Sequence, residues 1–533
     1  MRNYMAAGWF YSPSQIKRYI ISRPMSLRPP VTKLRNPISV LRELNSHQWI
    51  MFLVGFISWV WDAFDFFTVS LTITDIANDF GVSKADVSWG ITVTLMLRSV
   101  GALICGGLSD RYGRKWPMMI SLGLFVVLEL GSGFCQNVQQ FIAIRAIYGI
   151  VMGGLVGPAA ATALEDLPYD ARGVLSGLFL SAYAIGYLLA AVFCLALVPT
   201  TPNGWRSLFW FGAGPPILIM AFRYWAPETN AFQIIKAERD SKHRHNTDLS
   251  GSASKYFDLH TYTREAKVAL TQNWVLITYM VILMSGLNAT THGSQDFYPT
   301  FLTSQLGMTT QEVTVITVVG QIGAAIGATC IGYISTFAGR RLTMMTAAVF
   351  GGAILPAYIL PKTKSLAAGA FFEQFFVLGI WGPVAIHLME LSPPALRSLL
   401  VGLTYQLGNL ASSASATIQA TIGEKFPLPP SATESNRFDY GKVIGIFMGA
   451  VWAYDVIMLF IGPEMSQEER DDEAEAGLQL ERLRKAGMSL SEVGAASGAW
   501  KVERELELQR VKSVAAAKEM EGVKETDVAG ESV

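Results

Sequence analysis

The sequence predicts an all-α membrane protein whose twelve transmembrane helices form two pseudo-symmetric six-helix halves. Three observations support this fold class: the composition, the recurrence of long apolar stretches, and an internal repeat. Of the 533 residues, 51% are hydrophobic and only 16% are charged, against about 25% in soluble domains, and the mean hydropathy is +0.33. The formal net charge is zero, so the chain has no basic field for a polyanion. This composition excludes an ordinary soluble enzyme, a disordered scaffold and a nucleic-acid-binding protein.

Twelve apolar stretches are long enough to cross the hydrocarbon core of a bilayer, which is about 30 Å thick. They are rich in glycine, alanine and serine, which allow helices to pack closely in lipid. The predicted spans are 49–74, 87–108, 116–136, 138–162, 173–198, 206–226, 274–300, 312–336, 341–361, 366–389, 397–422 and 441–463.

The placement of lysine and arginine predicts the orientation of these spans, because short basic loops stay on the cytoplasmic side. Residues 1–48 carry eight basic residues and one acidic residue, and the 109–116 loop is also basic. We expect the same, cytoplasmic side for the long polar loop between the halves and for Arg340–Arg341. With both tails on that side, the number of spans is even. The predicted organisation is a cytoplasmic N-terminal tail at 1–48, a six-helix half at 49–226, a cytoplasmic central loop at 227–272, a second six-helix half at 273–463, and an acidic cytoplasmic tail at 464–533.

We expect no catalytic or metal centre in the segments between and after the spans. His243, His245 and His260 are taken as solvated residues of the central loop, and the four cysteines as small apolar residues at helix contacts. The C-terminal tail has 17 acidic and 10 basic residues and is expected to be solvated and to serve trafficking, ubiquitination or turnover. The chain has no Walker-type phosphate loop, so we expect no ATP-driven step.

An internal repeat relates the two halves at a nearly constant offset. At an offset of 226 residues the matches are Gly81 with Gly307, Gly113 with Gly339, Arg114 with Arg340 and Lys115 with Arg341, and at an offset of 225 they include Gly157 with Gly382, Glu165 with Glu390, Arg172 with Arg397 and Gly177 with Gly402. A single-residue slip accounts for the change of offset. Duplicated halves of this kind place a substrate site between them, near the midplane of the bilayer.

The loop after the second span carries a family signature. Residues 107–115, GLSDRYGRK, resemble the loop between the second and third helices of the major facilitator superfamily, which implies that fold. Acidic and basic side chains at these helix ends can hold the two halves together by charge-assisted hydrogen bonds that break on opening. The predicted cytoplasmic gate consists of Asp110, Arg111, Arg114, Glu165, Arg172, Arg340, Glu390 and Arg397. The alternative is that the basic residues only anchor the loops on the cytoplasmic side.

The gate signature is incomplete in the second half. Thr336 and Phe337 replace the acidic and the first basic residue of the loop motif. We therefore expect the charged network to be richer in the first half.

A stripe of polar side chains runs along the seventh span. Asn288, His292 and Asp296 are spaced at i, i+4 and i+8, and Gln295 lies beside them, so all four share one helical face. Polar groups at membrane depth are costly and need a partner or a cavity. An amide, imidazole and carboxylate stripe favours a water-filled cavity that holds a carboxylate or hydroxyl, in which His292 and Asp296 can titrate. The alternative is hydrogen bonding between helices.

The same stripe carries a second, narrower resemblance. Residues 288–300, NATTHGSQDFYPT, are similar to the seventh-helix signature of the fungal Jen-type carboxylate permeases at each of its defined positions. The resemblance covers residues 37–465 and implies a proton symporter for lactate, pyruvate or, in some members, short dicarboxylates. It also implies that Gln406 and Asn409 of the eleventh span serve substrate selection and activity. Interhelical bonding by these two amides is the alternative.

Arg98 is an arginine near mid-bilayer in the second span. Its counterpart in the repeat is Ala324, so the fold itself does not require a charge there. A guanidinium fork suits a carboxylate, and the resemblance also implies a role in handling substrate or proton. The alternative is a buried ion pair with Asp62, Asp65 or Glu129.

Two aspartates and one aromatic residue complete the predicted site. Asp62 and Asp65 match Asn288 and Thr291 in the repeat, so we expect both to face the same cavity. There they carry protons or neutralise the neighbouring arginine. Phe179 is placed in the site by the resemblance alone, which implies a role in the choice between mono- and dicarboxylates.

The sequence therefore predicts a plasma-membrane secondary transporter, not an enzyme, that imports a short-chain monocarboxylate with a proton by alternating access. The predicted substrate-binding residues are Arg98, Phe179, Asn288, His292, Gln295, Gln406 and Asn409, and the predicted proton-coupling residues are Asp296, His292, Asp62 and Asp65. No metal or cofactor is expected: the proton gradient drives transport, and the partners are the carboxylate, the proton and the lipid bilayer. The alternatives are a symporter that prefers succinate or malate, a sugar or polyol porter, and a nutrient sensor that does not transport.

Overall fold

The computed structural model describes residues 13–29, 36–82, 84–250, 270–271, 273–393, 396–423, 425–429, 437–465 and 488–493. The chain divides into two compact units, residues 1–229 with 263–472 and residues 230–262 with 473–533. The second unit contains a 21-residue helix in the predicted central loop. His260 and most of the predicted C-terminal tail lie outside the described residues.

The first unit is a bundle of helices. Numbered along the whole chain, the helices are α1 (Pro13–Ser22), α2 (Pro37–Arg42), α3 (Ser46–Phe80), α4 (Lys84–Tyr112), α5 (Lys115–Gly133), α6 (Val138–Gly153), α7 (Val156–Leu164), α8 (Tyr169–Leu197), α9 (Trp205–Gly212), α10 (Gly214–Trp225), α11 (Asn230–Ser250, in the second unit), α12 (Trp274–Gln295), α13 (Tyr298–Thr300), α14 (Thr310–Ala338), α15 (Arg340–Ile359), α16 (Leu366–Trp381), α17 (Val384–Leu391), α18 (Arg397–Ser412), α19 (Ser415–Gly423) and α20 (Tyr440–Ile461). Two short antiparallel strands, β1 (Pro427–Leu428) and β2 (Arg437–Phe438), precede α20.

Ten helical segments among the described residues are long and apolar enough to cross a membrane, and each coincides with a predicted span. The two remaining predicted spans are interrupted. The 206–226 span consists of α9 and α10, and α10 begins at Gly214 with two prolines in its first turn. Proline lacks the amide donor that a continuous helix requires, but fits the first turn of a new one. The 397–422 span consists of α18 and α19.

The internal repeat is visible in the backbone. Gly81 and Gly307 lie at matched turns with φ of 65° and 68°, and Gly113 and Gly339 have φ of 102° and 89°. A residue with a β-carbon is strained in this region, so the matched glycines mark matched turns. Helices α4 and α14 both have 29 residues and begin 226 positions apart, at residues 84 and 310. The two halves are therefore built on the same plan.

The two halves meet along α4 with α18 and along α8 with α14. Glycines allow these helices to approach closely. A β-carbon on Gly106 of α4 would lie 2.8 Å from the Cα of Leu399 in α18, and one on Gly173 of α8 would collide with the Thr336 side chain of α14. Both contacts lie at the same end of the bundle, because they involve the last turns of α4 and α14 and the first turns of α8 and α18.

We name the two ends of the bundle after residues that lie there. The Arg114 end carries the turn between α4 and α5, and the Asp296 end carries the C-terminus of α12. Since the glycine contacts between the halves lie at the Arg114 end, the structure describes a conformation that is closed there. The side chain of Asp296 is 45% exposed.

Candidate functional site

A cavity lies between the two halves, among the membrane-spanning helices. About 470 Å³ of space at this place is not occupied by protein atoms, a figure that includes open solvent at its mouth. Its polar lining comes from Arg98 in the first half and from Asn288, Thr291, His292 and Asn409 in the second. The remaining lining residues are Trp59, Phe66, Leu95, Leu180, Tyr183, Leu378, Trp381 and Tyr405. A few convergent polar groups in an otherwise apolar cavity are typical of a small-molecule site.

Arg98 forms a buried ion pair within the first half. Its Nη2 lies 3.2 Å from Asp62 Oδ2, and the two side chains are only 4% and 3% exposed. Arg98 Nε and Asp62 Oδ1 have no hydrogen-bond partner among the described residues. The guanidinium therefore keeps donors that an anion in the cavity can use. Asp62 does not line the cavity but affects it through its ion pair with Arg98, which does.

Like Asp62, Asp65 lies outside the cavity lining, so the prediction that both aspartates face the cavity is wrong. Its Oδ1 faces α9, 2.9 Å from the position of a β-carbon on Gly212. Residues i and i+3 of a helix differ by about 60° in direction, so the two aspartates of α3 meet different neighbours. Glu129 is likewise not the partner of Arg98, because its Oε1 lies 2.8 Å from Arg145 Nη1.

His292 bridges the cavity and an exposed carboxylate. Its Nδ1 lies 2.8 Å from Asp296 Oδ2, and its Nε2 lies 2.9 Å from Asn409 Oδ1. Asn409 Nδ2 donates to Gln406 Oε1 at 3.3 Å, which fits the amide orientation that turns its oxygen toward the imidazole. The His292 side chain is 9% exposed. Because both ring nitrogens face acceptor oxygens, the geometry suits a doubly protonated imidazolium.

The predicted amides divide into two groups. Asn288 and Asn409 line the cavity. Gln295 lies outside the lining, and its Nε2 donates to Gln374 Oε1 at 2.8 Å, which joins α12 to α16. Gln406 is fully buried, contacts Asn409, and has no partner for its Nε2 among the described residues. The structure therefore places Asn288 and Asn409 where a substrate can touch them, and Gln295 and Gln406 behind them.

An aromatic wall, formed by Trp59, Tyr405 and Trp381, spans both halves of the cavity. The ring centroids of Trp59 and Tyr405 are 5.9 Å apart, and those of Tyr405 and Trp381 are 5.6 Å apart, both edge to face. Phe179 lies outside the lining and stacks on Trp59 at 5.9 Å with an interplanar angle of 19°. Phe179 can therefore influence the cavity by positioning Trp59.

The wall is tied to the polar stripe by one hydrogen bond, which predicts a measurable coupling. Trp381 Nε1 donates to Thr291 Oγ1 at 2.8 Å, and both residues are buried. We expect Trp381→Phe and Thr291→Val each to lower the free energy of unfolding by about 1 kcal/mol or more. The double variant should lose less than the sum, because the second change removes no further bond.

Thermal unfolding of the purified variants measures this coupling. Trp89 is 57% exposed, so Trp89→Phe is the matched control and should leave the stability unchanged. Fully additive losses in the double variant would contradict the hydrogen bond between Trp381 and Thr291.

A charged network closes the Arg114 end of the first half. Arg114 Nη2 lies 2.8 Å from Glu165 Oε1 and 3.2 Å from Asp110 Oδ1. Burial alone would lower the pKa of Arg114, but the two carboxylates raise it above its ordinary value, so the guanidinium stays charged. The Asp110 carboxylate also accepts from the backbone N–H groups of Ser398 at 3.1 Å and Leu399 at 2.8 Å. Asp110 thereby joins the first half to the N-terminus of α18 in the second half, where the helix dipole favours a negative charge.

The second half repeats part of this network. Arg340 Nη2 lies 3.1 Å from Glu390 Oε1, and both side chains are buried. Arg172 Nε donates to the carbonyl oxygen of Leu167 at 3.0 Å. Arg111 lies at the end of α4, with its guanidinium 4.9 Å from the Tyr112 ring, and Arg397 begins α18. All eight predicted gate residues thus lie at the Arg114 end, and their role in gating stays a prediction.

Two buried acids in the second half have no predicted role from the sequence. Glu373 Oε1 accepts from Trp452 Nε1 at 3.1 Å, and Asp455 Oδ2 accepts from Thr290 Oγ1 at 2.7 Å. Both are recognisable in the sequence as charged residues inside predicted spans, but the sequence assigns them no role. The aromatic wall gives no such signal, because tryptophan and tyrosine occur throughout the spans.

A helical bundle of two related halves with a cavity between them is the architecture of transporters of the major facilitator superfamily. A solved structure of the proton:xylose symporter XylE bound to 6-bromo-6-deoxy-D-glucose shares this fold. Its TM-score is 0.62 at 17% identity, over 79% of this chain and 97% of that chain. The family described as "sugar (and other) transporter" matches residues 46–470. The chain therefore belongs to this family, and the predicted fold class is confirmed.

Two relatives are similar over most of their length. A carboxylic acid transporter protein homolog of Saccharomyces cerevisiae is 36% identical over 490 residues, which cover 90% of this chain and 80% of the relative. The cis,cis-muconate transport protein of Acinetobacter baylyi is 26% identical and covers 72% of this chain and 88% of its own. Membership of a transporter family means that the protein moves its ligand rather than transforms it, so the chain is a transporter and not an enzyme.

Proposed function

We propose that the protein is a secondary transporter of the plasma membrane that imports a short-chain monocarboxylate, such as lactate, pyruvate or an acetate-like acid, together with a proton. The position of His292 carries the proposal. This imidazole lies between an exposed carboxylate, Asp296, and the cavity-lining amide of Asn409. One titratable side chain thus connects solvent to the cavity. The two relatives, named for carboxylic acid and muconate transport, support the substrate class.

The cavity offers the groups that a small carboxylate requires. Arg98 supplies a guanidinium with unused donors, and Asn288 and Asn409 supply amides on the opposite half. The aromatic wall contributes an apolar surface for a short carbon chain. Binding between Arg98 and the amides would draw the two halves together, because each half supplies part of the contact.

The transport cycle follows from the closed Arg114 end. A proton from the Asp296 end binds at Asp296 and His292, which lowers the cost of burying the anion. The anion then docks on Arg98, Asn288 and Asn409, and the site closes over both ligands. Release requires the Arg114 network to separate, which breaks the bonds from Asp110 to α18. In the proposed orientation the Arg114 end is cytoplasmic, as are both termini.

Asp62 and Asp65 are the other proposed proton carriers. Asp62 shares Arg98 with the incoming anion, so substrate binding would weaken its ion pair and favour its protonation. Both oxygens of Asp65 lack a hydrogen-bond partner among the described residues. Uncoupled anion uptake by Asp62→Asn or Asp65→Asn would identify either as the carrier.

Uptake of labelled lactate into proteoliposomes tests the proposal. An inward proton gradient should drive accumulation of the label, and a protonophore should abolish it. We expect Asp296→Asn and His292→Ala to reduce gradient-driven uptake by about tenfold or more. Asp240→Asn, an exposed acid of α11, is the matched control and should transport normally.

Each alternative has its own outcome in this assay. Accumulation of labelled succinate in preference to lactate would support a dicarboxylate symporter. Uptake of a neutral sugar or polyol without a proton requirement would support a sugar porter. Carboxylate binding without uptake under any gradient would refute transport and support a sensor.

A further inference from the structure

Helix α1 presents an apolar face that the rest of the first unit leaves exposed. Ile16, Ile20 and Ile21 are 49%, 55% and 66% exposed. These positions fall within an arc of about 140° on the helix, and Lys17 projects between them. Three exposed large aliphatic side chains on one side of so short a helix mark an interaction surface.

The structure holds this helix at the end of a membrane span. The Tyr19 hydroxyl donates to the carbonyl oxygen of Ile461 at 2.9 Å, and Arg23 Nη1 donates to that of Gly462 at 2.9 Å. These carbonyls end α20, which is long and apolar enough to cross the membrane. A helix bonded to them lies at the level of the bilayer surface.

A second connection fixes the segment after α1 to the same place. Arg341 Nη1 donates to Ser26 Oγ at 2.9 Å, and Arg341 Nε donates to the carbonyl oxygen of Leu459 at 2.8 Å. One guanidinium therefore joins the N-terminal segment to the last turn of α20. The segment cannot leave the end of this span without breaking these bonds.

The charge of the segment matches one kind of surface. Residues 13–29 contain four basic residues and no acidic residue, and three of the four, Lys17, Arg18 and Arg28, are exposed. A basic amphipathic helix is attracted to anionic lipid headgroups. The stem of Lys17 can lie along the isoleucines while its ammonium group reaches the headgroups.

We propose that α1 lies in the plane of an anionic bilayer surface, with its isoleucine face in the boundary between headgroups and acyl chains. The span that holds the helix also exposes large aliphatic side chains near the same end, because Ile457 and Ile461 of α20 are 53% and 43% exposed. The helix is thus an interfacial anchor of the Arg114 end. This inference does not depend on the transported substrate.

Spin labels on the full chain in lipid nanodiscs test this placement. In a background with the four native cysteines replaced by serine, Ile20→Cys reports on the apolar face. Ser22→Cys, about 160° away on the helix, is the matched control. In discs that contain phosphatidylserine, we expect the label at 20 to collide with oxygen and not with a water-soluble nickel complex. The label at 22 should show the reverse.

The basic residues should decide the lipid preference. Lys17→Gln and Arg18→Gln should each weaken insertion in phosphatidylserine discs by roughly fivefold, and should have little effect in pure phosphatidylcholine. Nickel access at 20 equal to that at 22 in both lipids would overturn the proposal. The proposal would also be overturned if the label at 20 were protected from nickel in every lipid and lost this protection when residues 466–533 are deleted. The tail, and not the bilayer, would then cover the isoleucine face. Neither readout involves transport, so this proposal can fail while the proposed function stands.

Discussion

Replacing Arg98 by alanine is expected to abolish uptake of the labelled carboxylate and to lower the free energy of unfolding by about 3–5 kcal/mol. The loss of uptake follows from removal of the one guanidinium that lines the cavity among the described residues. The loss of stability follows from Asp62, which would be left as a buried acid without its cation. Uptake into proteoliposomes and denaturant unfolding of the purified variant measure the two effects separately.

A second substitution distinguishes binding from structural support. Removing both partners of a buried ion pair costs much less than removing one, so Arg98→Ala with Asp62→Ala should recover most of the lost stability. Uptake should not recover, because the guanidinium is still missing. Arg98→Lys keeps the charge but not the fork and should show intermediate uptake. Normal transport by the double variant would refute a substrate-binding role for Arg98.

Much of the fold follows from the sequence, because a bilayer imposes its own thickness on each span. All the predicted spans correspond to helices, and the repeat offset matches the positions of the paired turns at Gly113 and Gly339. The breaks between α9 and α10 and between α18 and α19 do not follow from hydropathy, because both sides of each break are apolar. Pro215 and Pro216 are the local signal for the first break.

The candidate site is only partly predictable, for a geometric reason. Positions on one helix are related by a fixed rotation, so the sequence predicts that Asn288 and His292 share a face. Both residues line the cavity. Contacts between helices have no such rule. The placement of Asp65 against α9 and the stacking of Phe179 on Trp59 depend on the packing of distant segments. The repeat argument failed for Asp62 and Asp65 because matched positions share a helix but not its neighbours.

The gate shows why a sequence motif predicts where charged residues lie more reliably than it predicts which bonds they form. Asp110 is predicted as a charged gate residue, and the structure shows its carboxylate on the backbone amides of α18. A backbone partner leaves no trace in the sequence. The glycine that allows this approach is Gly106, which precedes the predicted loop signature and lies against Leu399.

The substitution Gly106→Val is therefore expected to prevent closure of the Arg114 end. A β-carbon there would lie 2.8 Å from Leu399 Cα, so α4 and α18 must separate and the bonds from Asp110 to α18 must break. The protein should remain folded but favour conformations that are open at this end, and uptake should be lost. In a cysteine-replaced background, Ser398→Cys is buried in the closed state and becomes accessible when the helices part.

The adjacent glycine provides a control on the same helix. A β-carbon on Gly107 would meet no atom within 4 Å, so Gly107→Val should transport and label like the parent protein. Gly106→Val should increase the alkylation rate of Ser398→Cys by about tenfold or more, which corresponds to about 1.4 kcal/mol in favour of the open conformation. Equal labelling in the two valine variants would show that the approach of α4 to α18 does not close the transporter. Unequal labelling with normal uptake in Gly106→Val would show that closure at this contact is not required for transport.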